Sequence, residues 1–278
     1  DPLGSISIID VSKGVGDASM ISVNTVIFDE VELGKDVRIT TLSPDTTPIQ
    51  DLEPEYVAVD AASKYAYVAL QENNAIAKVE IATGKIEMVK GLGYKDHSVE
   101  GAGLDASKGD KKVKIKTWPL RGLYMPDAIT TYKAGGHTFI ISANEGDGRE
   151  YEDYTDETKV GKVELDKKAF PNAKELQSKE NLGGTLISSM DGDVDGDGDY
   201  DALYTFGARS FTIWDSNLNI VYDSGDALEQ ITWTYNDEKY FNTSNDKDKF
   251  DNRSPKKGPE PEGVVTGVID DNTFAFIL

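Results

Sequence analysis

Short runs in which apolar residues alternate with small or polar ones recur along the chain, and turn-forming residues separate them. Such a period of two describes β-strands with one face turned inward. Residues 5–10 read Ser-Ile-Ser-Ile-Ile-Asp, which puts Ile6 and Ile8 on one strand face ahead of a turn through Gly14. The phrase returns as Ala75-Ile76-Ala77-Lys78-Val79-Glu80 before Thr83-Gly84, and as Ser210-Phe211-Thr212-Ile213-Trp214-Asp215 before Ser216-Asn217. A second phrase, a proline followed by an acid, occurs at Pro54-Glu55, Pro126-Asp127 and Pro261-Glu262. Each copy leads through a short loop to an aromatic-rich strand: Tyr65–Val68, His137–Ile140 and Phe274–Ile277.

The repeated order of Pro-acid, strand, turn, strand, turn, strand is that of a propeller blade, a small antiparallel sheet that packs face to face on the next. The expectation is therefore an all-β chain, a β-propeller with four-stranded antiparallel blades of the YVTN or integrin-like type. The copies are spaced too widely to be consecutive minimal blades, so insertions or degenerate blades lie between them. Residues 1–278 are read as one propeller domain belonging to a longer protein, with long loops at about 148–190 and 236–260. Lys112-Val113-Lys114-Ile115-Lys116 reads as an outer strand whose lysines discourage edge pairing. Only Ala169–Leu176 reads as a short helix.

Composition narrows the function. A formal charge of −21 over 278 residues argues against a nucleic-acid partner, because phosphate binding needs clustered Lys and Arg. The absence of cysteine removes disulfides, thiolate metal sites and cysteine nucleophiles. No apolar run approaches the roughly 18 residues of a membrane-spanning helix. The start at Asp1 and the stop inside Phe274-Ala275-Phe276-Ile277-Leu278 read as a processed or trimmed piece.

The densest chemistry lies at Asp191–Asp201, where carboxylates alternate with small or turn-forming residues. Such a segment repels itself unless a cation sits among the acids. Calcium takes six to eight oxygens at about 2.3–2.6 Å, and alternating aspartates on a tight turn supply them. With Asp193 in the first position, Asp195 takes the third, Asp197 the fifth and Asp201 the ninth, with Gly198 at the sharp turn and the Asp199 carbonyl at the seventh. A register from Asp191 lacks the closing acid. Neither register has the twelfth-position glutamate of helical calcium hands, and Ala202–Gly207 reads as a strand. The expectation is a calcium-binding hairpin loop on Asp193, Asp195, Asp197, Asp199 and Asp201. Magnesium keeps more of its waters, and zinc and iron prefer nitrogen and sulfur.

A second metal or ligand site is expected where the Pro-acid phrases approach the axis, drawing on Glu55, Glu72, Asp127, Glu145, Asp147 and Glu262, with Glu53 and Glu260 nearby in sequence. Against this stands the reading that these acids cap turns or pair with lysines. Asn144–Glu150, with Arg149, is the natural companion of such a site. No G-x-S-x-G nucleophile elbow is present. His97 is a candidate ligand contact, and His137 reads as structural.

Several stretches together resemble one family: Asp51–Tyr56, Ala69–Asn74, Ala143–Asp147, the acidic loop running into Gly207-Ala208-Arg209-Ser210-Phe211, and Asp251-Asn252-Arg253-Ser254 ahead of Gly258–Gly263. They look like the bacterial choice-of-anchor I proteins, which are similar to the mesenchyme-specific cell-surface glycoproteins of biomineralising animals. The resemblance implies a secreted or surface-attached propeller, with some members carrying alkaline-phosphatase or phytase-like labels, and a ring that is incomplete in this chain, because family members begin before its first strand and continue past its final Phe-Ile run. Two functions follow as expectations. One is a calcium-binding extracellular module for binding, adhesion or matrix assembly, whose partners are other surface or matrix proteins or copies of itself. The other is a calcium-dependent phosphoesterase with axial carboxylates holding the ions. A purely structural subunit, its strand edges completed by a neighbour, is a third reading.

Overall fold

The computed structural model describes residues 3–40, 46–151, 154–235, 238–244 and 249–278. The predicted loop at 236–260 therefore lies partly outside the described residues. The chain is mostly β, in several small sheets. Strands β1 (Ser5–Asp10) and β2 (Ser22–Ile27) form a hairpin. Next come β3 (Val57–Val59), β4 (Tyr65–Leu70), β5 (Ala75–Glu80) and β6 (Lys85–Gly91), a four-stranded antiparallel sheet in sequence order. Short strands β7 (Tyr94–Asp96) and β8 (Arg121–Leu123) precede β9 (Ile129–Ala134) and β10 (His137–Asn144). Four further short strands, β11 (Glu150–Tyr151), β12 (Tyr154–Thr155), β13 (Glu157–Lys159) and β14 (Leu186–Ser188), lead to β15 (Tyr204–Thr205). Then β16 (Ser210–Asp215) and β17 (Ile220–Asp223) join β10 and β9 in a second four-stranded sheet, ordered β17-β16-β10-β9. A hairpin of β18 (Val264–Ile269) and β19 (Asn272–Ile277) follows, turned by Asp270 and Asp271, both at positive φ.

The two four-stranded sheets follow one path, except that the second admits residues 145–209 between its second and third strands. The Pro-acid phrases have one backbone role. The amide of Glu55 donates to Ala69 O, that of Asp127 to Ala143 O and that of Glu262 to Leu278 O, at 2.9–3.0 Å. The strands that follow, β3, β9 and β18, lie side by side: Thr131 Oγ1 donates to Val59 O at 2.6 Å and Thr266 Oγ1 to Thr131 O at 3.2 Å.

Three cores hold this series together. Tyr67, Ile76, Ile129, Ile140 and Trp214 fill the space between the two complete sheets. The Trp214 indole N–H donates to Ser142 Oγ at 2.8 Å, so no polar atom of its ring is stranded. Val68, Leu70, Ala77 and Phe28 pack the far face of the first sheet under β1–β2. On the far face of the second sheet, Ile141 and Ala143 meet Val264 and Ile277 of β18–β19. Strand β4, Tyr-Ala-Tyr-Val-Ala-Leu, is apolar at every position because both of its faces are covered. A further core, with Leu104, Trp118, Phe170, Leu182 and Leu203, lies within and beside the inserted segment.

Local readings differ from the structure in four places. Lys112–Lys116 forms no strand, and only Lys116 bridges to Leu104. Its lysines remain at the surface, so alternation there reflects one anchored position rather than a ladder. The helix near 169–176 shortens to α1 (Ala173–Leu176). A second helix, α2 (Ala227–Tyr235), has no counterpart in the sequence reading, because its Ile231-Thr232-Trp233-Thr234-Tyr235 half favours strand. Finally, Ala202–Gly207 does not pair back across the acidic loop. Within it, β15 pairs in parallel with β8, and β14 pairs with β13, so the loop joins two different sheets and is not a hairpin turn.

Candidate cation sites

The acidic loop is built around Asp193. Its Oδ1 accepts the amides of Gly196 at 2.8 Å and Asp197 at 3.1 Å, and its Oδ2 accepts that of Gly198 at 3.0 Å. This wrapping requires positive φ at Gly196 (+79°) and Gly198 (+101°), a region costly for side chains, which explains the glycines. Asp201 closes the loop, its Oδ2 accepting Val194 N–H at 2.9 Å and its own amide donating to Gly192 O at 3.0 Å. Carboxylate oxygens of Asp193, Asp195 and Asp197 come within 4.8 Å of one another, close enough to share one ion. The neighbouring charges of Asp197 and Asp201 hold Asp195 above its ordinary carboxylate range. Asp199 and Asp201 lie outside that trio, and Asp199 donates its amide to Asp197 Oδ1 at 3.1 Å.

Asp191 has a different task. Its Oδ2 accepts Arg38 Nε at 2.8 Å and Ser188 Oγ at 2.5 Å, while Arg38 Nη2 reaches buried Asp156 at 2.6 Å. That carboxylate is committed to tethering the loop, which leaves Asp193 as the first acid free for an ion. Tyr200 fixes the other end, its amide donating to Glu164 O at 2.9 Å and its hydroxyl to Ser189 O at 3.1 Å.

A second trio joins Glu53, Glu55 and Glu72, again with oxygens within 4.8 Å. It sits where the first Pro-acid phrase meets the β4–β5 turn. Glu72 Oε2 is buried with no hydrogen-bond partner. Burial, a hydrogen bond with Glu72 and the charges of Glu72, Asp127 and Glu53 push Glu55 up to about 8. Burial is the largest of these causes for Glu55, and the crowded carboxylates around it add to the shift. Burial raises Glu72 in the same direction.

The other predicted axial acids are placed differently. Glu145 accepts Lys257 Nζ at 2.6 Å and Gln71 Nε2 at 2.8 Å, and Asp147 lies 3.4 Å from the same ammonium. Burial and the nearby Glu262 charge raise Asp127. Glu262 lines a cleft of about 490 Å³ together with Tyr240, Asn242, Arg253 and Glu260. Arg149 turns inward. Its Nη1 donates to Glu53 at 2.5 Å and its Nη2 to the Asp51 carbonyl at 2.5 Å, so it holds Glu53 and offers nothing to an external anion. His97 is buried, bonded through Nδ1 to Ala102 O at 2.7 Å, and pushed down to about 3 by burial, hence neutral. Lys257 went unnoticed in the sequence, since nothing local marks one lysine of Lys256-Lys257 as the partner of Glu145.

Fold and sites together define an acidic, mostly β module of small antiparallel sheets carrying two carboxylate trios. A sequence model of the choice-of-anchor I domain matches residues 1–277, and the chain belongs to that family. Membership points to a surface-attached or secreted module. The chain is similar to Gigasin-3a of Magallana gigas, with 31% identity over 108 residues that make up 37% of each protein. No solved structure matches. No helix among the described residues is long and apolar enough to cross a membrane.

Proposed function

We propose that the chain is a calcium-binding, extracellular or cell-surface module for binding, adhesion or matrix assembly, its sheets stacked as blades of a β-propeller. Family membership and the partial likeness to Gigasin-3a support the extracellular setting. The succession of equivalent strands β3, β9 and β18 supports the propeller. The carrying observation is the loop around Asp193, where one carboxylate organises three backbone amides while keeping Asp195 and Asp197 within 4.8 Å. A loop so pre-shaped binds a hard cation without first having to order itself. Calcium there holds together the junction between β14 and β15. The Glu53, Glu55 and Glu72 trio takes a second cation, in competition with the proton on Glu55.

Calcium titrated by calorimetry into chelator-treated protein is expected to bind and to raise Tm. Asp195→Asn should remove the binding event at the loop and its share of the Tm increase. An unchanged calcium response in Asp195→Asn would refute the loop assignment. For the phosphoesterase alternative no observation speaks. Lys257 holds Glu145 and Asp147, so those acids do not join the Glu55 trio as ligands for a pair of ions.

A further inference from the structure

Five lysines crowd the stretch from Lys108 to Lys116, against one acid, Asp110. That is a local charge of +4 in a chain whose formal charge is −21. Lysines in an outer strand guard its edge against pairing, but this stretch forms no strand and makes only the Lys116 bridge to Leu104. They add nothing to solubility either, since they reduce the net charge that the acids supply. Nor are they held in ion pairs. Lys64, Lys78, Lys95, Lys179 and Lys257 reach acids, and none of the five does so among the described residues.

The backbone beneath these lysines is fixed. The Lys114 amide donates to buried Asp105 Oδ2 at 2.7 Å, the Lys116 amide to Leu104 O at 3.3 Å, and the Leu104 amide back to Lys116 O at 3.0 Å. Val113 and Ile115 are half-buried while Lys112, Lys114 and Lys116 are exposed, so the three ammonium groups form an outward row. Alternate residues of an extended chain stand about 6–7 Å apart. The Lys116 ammonium lies 3.7 Å from the centre of the Trp118 ring, which pins the end of the row. Burial and the Lys114 charge hold Lys116 below the ordinary lysine range, with Glu175 opposing them.

We propose that this row binds a linear acidic polysaccharide, a polymer bearing sulfate or carboxylate groups along its length. Composition selects that partner. Protein interfaces are enriched in aromatic residues, methionine and arginine and depleted in lysine, and residues 108–116 contain none of the enriched types. Single-stranded nucleic acid needs exposed rings on which bases stack, whereas Trp118 is buried beneath Lys116. Arginine would select a phosphate or sulfate by its bidentate fork, but lysine meets any anion as a point charge. What the row reads is therefore charge repeated along a line. Acids farther away do not cancel it, because the screening length is about 8 Å at physiological salt. The fixed backbone also loses little conformational freedom on binding. The proposal names a ligand class for the binding role given above but rests on other residues than the cation sites, so either can fail without the other.

The test uses the 278-residue chain with chelator present, so that calcium cannot bridge the acidic loop to an anionic polymer. Fluorescence anisotropy with a labelled heparin fragment should show binding that weakens as salt rises. Each ion pair made to a linear polyanion adds roughly 0.7–0.9 to the slope of log affinity against log salt. Replacing the row by Lys112→Gln, Lys114→Gln and Lys116→Gln together should lower that slope by about 2–3 and weaken binding at low salt at least about tenfold. Lys112→Gln with Lys114→Gln alone keeps the Lys116 contact with Trp118 and should lower the slope by about 1.4–1.8. Lys13→Gln, Lys85→Gln and Lys133→Gln together make the same change of net charge on exposed lysines outside the stretch, and should bind like the unsubstituted chain. Absence of binding overturns the proposal, as does an equal loss in the two triple variants. So does competition by a polyaspartate peptide or a DNA duplex that matches heparin charge for charge, which would assign the row to an acidic protein or a nucleic acid.

Discussion

Replacing Arg149 by methionine tests how the second trio is held. The guanidinium is almost wholly buried, with side-chain exposure of 1%, and it lies between Asp51, at 0%, and Glu53, at 38%. Removing one partner of a buried ion pair costs about 3–5 kcal/mol. Two features place this case at the lower end. Asp51 keeps the Thr40 amide at 3.1 Å, the Thr40 hydroxyl at 2.5 Å and the Asn73 amide group at 3.0 Å. Glu53 reaches water, where an ion pair is worth only about 0–1 kcal/mol. The expected loss is therefore about 3 kcal/mol, or about 6–12 °C in Tm for a chain of this size. Urea unfolding at constant m-value measures it. The deficit should also depend on pH. Glu55 and Glu72 hold their protons above the ordinary value of 4.5, Glu55 up to about 8. Their contribution is complete below that ordinary value and is lost as pH rises toward 8, since the folded state then binds more protons than the unfolded chain. Arg149 opposes this at Glu72, so its removal should steepen the loss with rising pH. A deficit below about 1 kcal/mol, or one that shrinks as pH rises, would refute the assignment of Arg149 as the built-in counter-charge of the trio.

Further outcomes follow from other sites. Asp251 is buried, with Oδ2 unpartnered, and burial pushes it up to about 8. Asp251→Asn should flatten the fall in Tm as pH rises toward 8, and an unchanged slope in a Tm–pH series would count against this account. Arg209 pairs with buried Glu229 at 2.7 Å and donates to the carbonyls of Asp105 at 2.8 Å and Ser254 at 2.6 Å. Arg209→Met should cost about 3–5 kcal/mol in urea unfolding, and adding Glu229→Leu should recover part of it by removing the stranded charge. Gly198→Ala places a side chain at φ +101° in the acidic loop and should weaken calcium binding in calorimetry; equal affinity would show that the loop does not need this turn.

The sequence by itself determined the strands and their repetition. Alternation at Ser5–Asp10, Ala75–Glu80 and Ser210–Asp215 marks real strands because an inward face must be apolar whatever packs against it. The Pro-acid phrases were equally legible, and their shared backbone bonds show why they repeat. The Asp193–Asp197 cluster was readable because its spacing is local: wrapping amides around one carboxylate needs glycines two residues apart and nothing from elsewhere in the chain. Tertiary structure alone decided the rest. Glu53, Glu55 and Glu72 converge because a sheet turn folds back beside the first Pro-acid phrase, while Glu145 and Asp147 are drawn to Lys257, more than a hundred residues away. Asp191, alike in sequence to its neighbours, is diverted by Arg38. An acid in a sequence is only a charge; whether it is left to meet a cation or is satisfied by an arginine depends on partners that no local pattern encodes.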